Sequence, residues 1–318
     1  MKRREFLKKV VAGTIAAYAA PQLGGFAQAE EPPPPLIQRE LGKTGRNLSI
    51  IGFGGIVVNG VPQEEANEAV RYAIERGVNY FDVAPSYGNA EERLGPALEP
   101  YRERVFLACK TNKRTKDEAA TELQDSLKKL RTDVLDLYQL HALTTMEELE
   151  TCFGAGGAME AFLEGREKGQ IKLIGFSAHS VAVALEAMER FNFDSILFPV
   201  NFVLYSQGDF GAQVVKRAQE KGVGRLALKA MARTHWARGA AHTHPKCWYQ
   251  PISDLDEASL ALRFTLSEAI TAAIPPGDPA LFRIALDLAA HFKPLTDGER
   301  TTLFQHAEGL TPIFKHPV

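Results

Sequence analysis

The sequence predicts an α/β fold, a single (β/α)8 TIM barrel, and three observations predict it. Eight short apolar runs of strand length alternate with amphipathic stretches at helical spacing. Glycines stand where helices have to stop, at Gly77, Gly169 and Gly222. No G-x-G-x-x-G follows the first apolar run, which weakens the rival reading, a doubly wound dinucleotide-binding sheet. The length of 318 residues fits one such barrel.

The strand runs fall at residues 48–53, 79–83, 104–109, 134–140, 171–176, 195–200, 224–228 and 270–274. Between the first two, Ala66, Ala69, Val70, Ala73 and Ile74 share one helical face. Ala120, Leu123, Leu127 and Leu130 mark a further stripe, and residues 158–168, 181–190 and 211–221 continue the alternation. Asn89 and Glu92 are placed as a cap and its partner at the start of the helix after the second strand. The last 25 residues form an appended tail.

The first 29 residues stand apart. "MKRREFLKKVVAGTIAAYAAPQLGGFAQAE" has a basic front, a modest apolar run and Ala27-Gln28-Ala29 before Glu30, the layout of a cleavable export signal. Its apolar run is too short and too rich in Gly and Ala to span a bilayer, so no stable membrane insertion is expected after cleavage. Arg3-Arg4 followed by Glu5, Phe6, Leu7 and Lys8 resembles the twin-arginine (Tat) signal, whose machinery exports folded proteins. The domains expected are therefore a signal peptide at 1–29, a Pro-rich spacer at 30–35 and the barrel at 36–318, with the periplasm as destination.

Without its signal the chain has 32 basic and 38 acidic residues, which argues against nucleic acid as a partner. Cys109, Cys152 and Cys247 are odd in number and widely spaced, so neither a disulfide framework nor an iron–sulfur cluster is expected. His242, His244 and Cys247 share a long loop after the seventh strand, residues 231–254, but no second cluster completes a metal site. That loop should overhang the barrel mouth, with Trp248 and Tyr249 as pocket wall or loop packing.

In a parallel barrel the chemistry gathers at the C-terminal ends of the strands. Strand two ends at Asp82 with Tyr87 just beyond, strand three at Lys110, and strand four at His141. A tyrosine is a poor acid at neutral pH, and a nearby ammonium lowers its pKa by favouring the phenolate. A carboxylate positions the lysine, and an imidazole hydrogen-bonds a substrate carbonyl oxygen. Such a mouth suits protonation of a carbonyl oxygen as hydride reaches its carbon, and hydride requires a nicotinamide.

"LGKTGRNLSIIGFGG", "NYFDVAPSYGNAEERLG", "VFLACKT", "DVLDLYQLHAL" and "KGQIKLIGFSAHS" together resemble the aldo-keto reductase superfamily in content and order. The resemblance implies an opening hairpin and an NAD(P)-dependent reductase of an aldehyde, ketone or sugar-like carbonyl. It makes Tyr87 the general acid, tuned by Lys110 and Asp82, with His141 orienting the carbonyl. Ser177, His179 and Asn201 take the places that meet the nicotinamide carboxamide. Leu228 replaces the usual stacking aromatic, and Lys229 is positioned for the pyrophosphate. Gly277 allows close backbone approach to phosphate, beside the N-terminus of a helix that starts at Pro279. The basic residue expected there for a 2′-phosphate is missing, so NADP leads NAD on the family pattern alone. These departures leave one alternative, a catalytically weak or non-catalytic nucleotide-binding barrel with a redox-sensing role. A barrel hydrolase using Asp82 lacks a second acid at a strand end.

Overall fold

The computed structural model describes residues 34–317, so the signal peptide and most of the spacer lie outside the described residues. The chain opens with an antiparallel hairpin, β1 (Gln38–Glu40) against β2 (Asn47–Ser49). It plugs the lower end of the barrel, because Leu41 and Leu48 pack with Tyr80, Phe106, Leu137, Leu197 and Leu226 in the interior.

Eight parallel strands follow: β3 (Phe53–Gly54), β4 (Tyr80–Asp82), β5 (Phe106–Thr111), β6 (Leu135–Leu143), β7 (Ile171–Ala178), β8 (Ser195–Pro199), β9 (Gly224–Leu228) and β12 (Ala272–Ile274). Each pairs with its neighbour in that order. The ring closes where Ile51 bridges Ala273 in parallel, with the Gly52 amide donating to the Ala273 carbonyl at 2.9 Å. Side chains alternate inward and outward along each strand, so Tyr80, Asp82, Lys110 and Leu137 fall on the inner face.

The crossovers are the expected amphipathic helices. α1 (Gln63–Glu75) and α3 (Lys116–Lys129) bury Ala66, Val70 and Ala73, and Ala119, Leu123 and Leu127. α2 (Ala90–Leu98) lies between them. α4 (Met146–Phe153) and α5 (Ala158–Glu167) precede β7, and α6 (Val181–Arg190), α7 (Phe202–Gln207) and α8 (Ala212–Lys221) lead to β9. Gly77, Gly169 and Gly222 each follow a helix with φ of 88°, 73° and 72°, a left-handed turn that side chains disfavour.

Three expectations are corrected. The run 48–53 is divided between hairpin and barrel: the Ser49 hydroxyl donates to the Ile51 carbonyl, and the Ser49 amide to Asn79 Oδ1, both at 2.7 Å, so the ladder breaks there. Asn89 holds the N-cap position of α2 but does not cap it. Its Oδ1 accepts the Gly60 amide at 2.8 Å, and Glu92 faces Lys129. The stretch 231–254 contains a two-stranded ribbon, β10 (Ala232–His235) against β11 (Tyr249–Pro251). After it come α9 (Leu255–Ser267) and, beyond β12, α10 (Pro279–Ala290). The tail carries α11 (Asp297–Ala307), begun by a Thr296–Glu299 capping box, and returns to the barrel mouth at Phe314.

Candidate active site

β4 ends on Asp82 and the adjacent β5 carries Lys110 two positions beyond the residue opposite Asp82. Both side chains are buried and hydrogen-bonded to each other. Lys110 Nζ also donates to the Val83 carbonyl at 3.2 Å and stands 3.4 Å from the Tyr87 hydroxyl. The far oxygen of Asp82 accepts the Tyr80 hydroxyl at 3.1 Å, so both carboxylate oxygens are satisfied in a dry interior. Burial lowers the Lys110 pKa, but Asp82 and Tyr87 raise it more, and the ammonium stays charged.

From the sequence, the ammonium is expected to lower the Tyr87 pKa. The net direction is opposite: enclosure pushes the hydroxyl up, and Lys110 offsets only part of that. Tyr87 is therefore held protonated, 3.4 Å from an ammonium of the kind that favours a phenolate.

His141 meets the Tyr87 ring edge-on, with centroids 5.7 Å apart. It sits in an irregularity of β6, where pairing with β7 shifts between Leu140 and Leu143 and Ala142 adopts φ of 53°. Two contacts hold this kink: Ser177 Oγ accepts the Ala142 amide at 2.7 Å, and Arg114 donates to the His141 carbonyl at 2.7 Å. Arg114 is itself paired with Glu148 at 3.0 Å. Burial first, then the charge of Lys110, pushes the His141 pKa down to about 2, so the imidazole is neutral. Its Nδ1 lies 3.4 Å from the Ser86 hydroxyl, which leaves the other ring nitrogen free to face a substrate oxygen.

A cavity of about 240 Å³ opens above these groups. Asp82, Tyr87, His141, Ser177, His179, Leu228, Lys229 and Gly277 line it, and Lys110 lies beneath its floor. Asn201 does not line it. Its Oδ1 caps α7 through the Leu204 amide at 2.8 Å, and its Nδ2 donates to the Lys229 carbonyl at 3.1 Å. The amide expected to hold a carboxamide thus holds a backbone turn.

The start of α10 is also already engaged. Asp278 accepts the Ala280 and Leu281 amides at 3.0 and 3.2 Å and lies 3.2 Å from His244 Nδ1. The free N-terminus expected for a phosphate is capped by the chain's own carboxylate.

The sequence pattern marks Trp248 and Tyr249 as pocket wall or loop packing, but it marks neither Lys246 nor Phe314. Lys246 joins the cavity and donates to the Val57 carbonyl at 2.8 Å, which ties the ribbon to the loop after β3. Trp248 and Tyr249 bring aromatic surface where Leu228 offers none. Phe314 stacks on His179 at 4.8 Å and meets Trp248 at 5.9 Å, a contact from the tail that no local pattern signals. His242 stacks on Trp236, His244 faces Asp278 and Cys247 is buried, so the three loop side chains point to different partners.

The model of the Aldo/keto reductase family matches residues 50–271. An uncharacterized oxidoreductase of Bacillus subtilis, YqkF, is 30% identical over 174 residues, 50% of this chain and 55% of that protein. Aldo-keto reductase YhdN of the same organism is 32% identical over 46% of this chain and 47% of its own length. The matched region thus spans about half the length of these curated relatives. Among solved structures, the holo form of aldo-keto reductase AKR11C1 from Bacillus halodurans superposes with a TM-score of 0.68 at 24% identity, covering 86% of this chain and 96% of that one.

Proposed function

This chain belongs to the aldo/keto reductase family, and from that premise we propose that it is an NAD(P)-dependent oxidoreductase. Its substrates would be small carbonyl compounds, an aldehyde, ketone or sugar-like carbonyl, interconverted with the alcohol. One observation carries the reading: Asp82, Lys110, Tyr87 and His141 meet at the base of one cavity, with the tyrosine hydroxyl 3.4 Å from the ammonium. That complete set favours catalysis over a non-catalytic nucleotide-binding barrel.

The residues present suit a nicotinamide nucleotide at one end. Lys229, Lys246, two neutral imidazoles and Gly277 give the mouth a cationic, hydrogen-bonding lining. Its volume is below the roughly 300–1,000 Å³ that encloses a drug-sized ligand, so the cavity takes the nicotinamide end and the substrate rather than a whole dinucleotide. Ser177 and His179 would meet the nicotinamide, and Gly277 and Lys246 lie toward the phosphates. A bound nicotinamide supplies or accepts the hydride.

The protein's own part is proton chemistry and orientation. His141, neutral, donates a hydrogen bond to the substrate oxygen and aligns the carbonyl. Tyr87 gives its proton to that oxygen as negative charge develops there. Lys110, fixed by Asp82 and Val83, stabilises the phenolate left behind, and the low dielectric around it strengthens that interaction. In the reverse direction the phenolate takes the proton from an alcohol.

The test is hydride transfer from each of NADPH and NADH to a generic aldehyde, followed by nucleotide absorbance. Turnover with either supports the reading, and none with both removes it. NADP is the proposed cofactor on family pattern alone, and comparing the two nucleotides in that assay decides it.

We also propose that residues 1–29 are a twin-arginine signal and that the barrel works in the periplasm, folded around its nucleotide before export. The Arg3-Arg4 pair ahead of the apolar run supports this. Replacing both arginines by lysine should hold the protein in the cytoplasm, and undiminished export would refute the proposal.

A further inference from the structure

Lys229 is a cation without a counter-ion at the catalytic end of the cavity. Its Nζ lies over the rings of Trp248 and Tyr249, 5.0 and 4.7 Å from their centroids, and among the described residues no carboxylate pairs with it. Aromatic faces attract an ammonium but do not neutralise it. Its backbone is held in the left-handed region at φ of 70°, with the carbonyl fixed by the Asn201 amide and the Ala232 amide at 2.9 Å. An L-residue keeps that conformation only where its surroundings enforce it. Asn201, β9 and the ribbon therefore cooperate to aim one uncompensated ammonium into the site.

The second lysine of the lining stands elsewhere. Lys246 donates to the carbonyls of Ile56 and Val57 and feels the charges of Asp278 and Glu65, which places it at the Gly277 side of the mouth. Lys229 instead bears on His141 and His179, lowering the pKa of both. The groups facing it are His141 from β6, His179 just after β7, and Cys247, Trp248 and Tyr249 from the ribbon segment, none of them a carboxylate. Burial brings its own pKa down to about 8, so it is still mostly charged at neutral pH.

We propose that Lys229 recognises a carboxylate on the substrate, so that the preferred substrates are carbonyl compounds carrying a carboxylate. This deepens the oxidoreductase reading above and rests on it. A carboxylate entering beside His141 would supply the missing counter-ion, and a charge-assisted bond in this enclosed site would orient the carbonyl toward Tyr87.

The test compares benzaldehyde with 4-carboxybenzaldehyde, which differ only in the carboxylate, using the purified full chain and its variants K229M and K229R. The parent should favour the acid in kcat/KM by about ten-fold or more. In K229M that ratio should fall toward one, chiefly through the KM of the acid, and K229R should keep most of it. No preference in the parent would overturn the proposal. So would a K229M variant in which nucleotide Kd weakens and the ratio is kept, which would give Lys229 to the pyrophosphate. If neither aldehyde is reduced, the oxidoreductase reading fails, and tryptophan fluorescence titration with the same two aldehydes still decides the role of Lys229. The parent should then bind the acid more tightly and K229M should not, whereas equal binding in the parent would overturn the proposal.

Discussion

Lys110 Nζ lies 3.4 Å from the Tyr87 hydroxyl while it is hydrogen-bonded to Asp82 and to the Val83 carbonyl. One buried ammonium thus serves a structural partner below and a reactive partner above. Its removal should show in both stability and turnover.

In Lys110→Met, Asp82 is left buried opposite an apolar side chain, with only Tyr80 still bonded to it. Breaking a buried pair from one side costs about 3–5 kcal/mol, so denaturant unfolding should shift by an amount in that range. Adding Asp82→Asn should recover part of the stability without restoring turnover, because the phenolate still lacks its cation. A single variant as stable as the parent would contradict the pairing.

The pH dependence separates activity from stability. His141 is neutral down to about pH 2 and Tyr87 is held above its ordinary pKa, so neither changes protonation in the neutral range. The kcat for reduction should be flat from about pH 5 to pH 9, falling only as the tyrosine ionises. Stability behaves differently, because an imidazole with a depressed folded pKa contributes stability above its unfolded pKa that is lost as pH falls. With His179 pushed down to about 4, unfolding free energy should drop below about pH 6.5, by up to roughly 1.4 kcal/mol per unit for each of the two histidines. A rate limb near pH ~6.5 would mean that His141 titrates in the working range.

Cys109, Cys152 and Cys247 are free and buried, and burial pushes each thiol up, the last two to about 11. Thiolate, the reactive form, is scarce at neutral pH. A thiol reagent should label none in the native protein and all three after unfolding. Rapid native labelling of Cys247 would mean that the ribbon opens away from the mouth.

The strand–helix alternation and the four strand-end residues were legible because they depend on local periodicity and on one topological rule. Asp82, Lys110 and His141 are found from the ends of apolar runs, without knowing what they touch. The cofactor side was less legible, because its side chains are decided by competition for partners. Asn201 carries an amide of the expected kind, but that amide caps α7, and the helix start expected for a phosphate is capped by the Asp278 carboxylate. The lowered pKa expected for Tyr87 failed for a related reason: enclosure in the folded barrel mouth enters the balance, and no residue spacing reports it. Phe314 reaches His179 from 135 positions away along the chain, beyond any local signal.

The role proposed for Tyr87 is to deliver the proton while other groups bind and position. Tyr87→Phe removes one oxygen and leaves Lys110, His141 and the cavity lining in place. Stopped-flow transfer from bound NADPH or NADH to an aldehyde, with nucleotide Kd measured alongside, reads the two functions separately. The rate should fall by about 100-fold or more, with nucleotide affinity retained. A variant that transfers hydride as fast as the parent would contradict it.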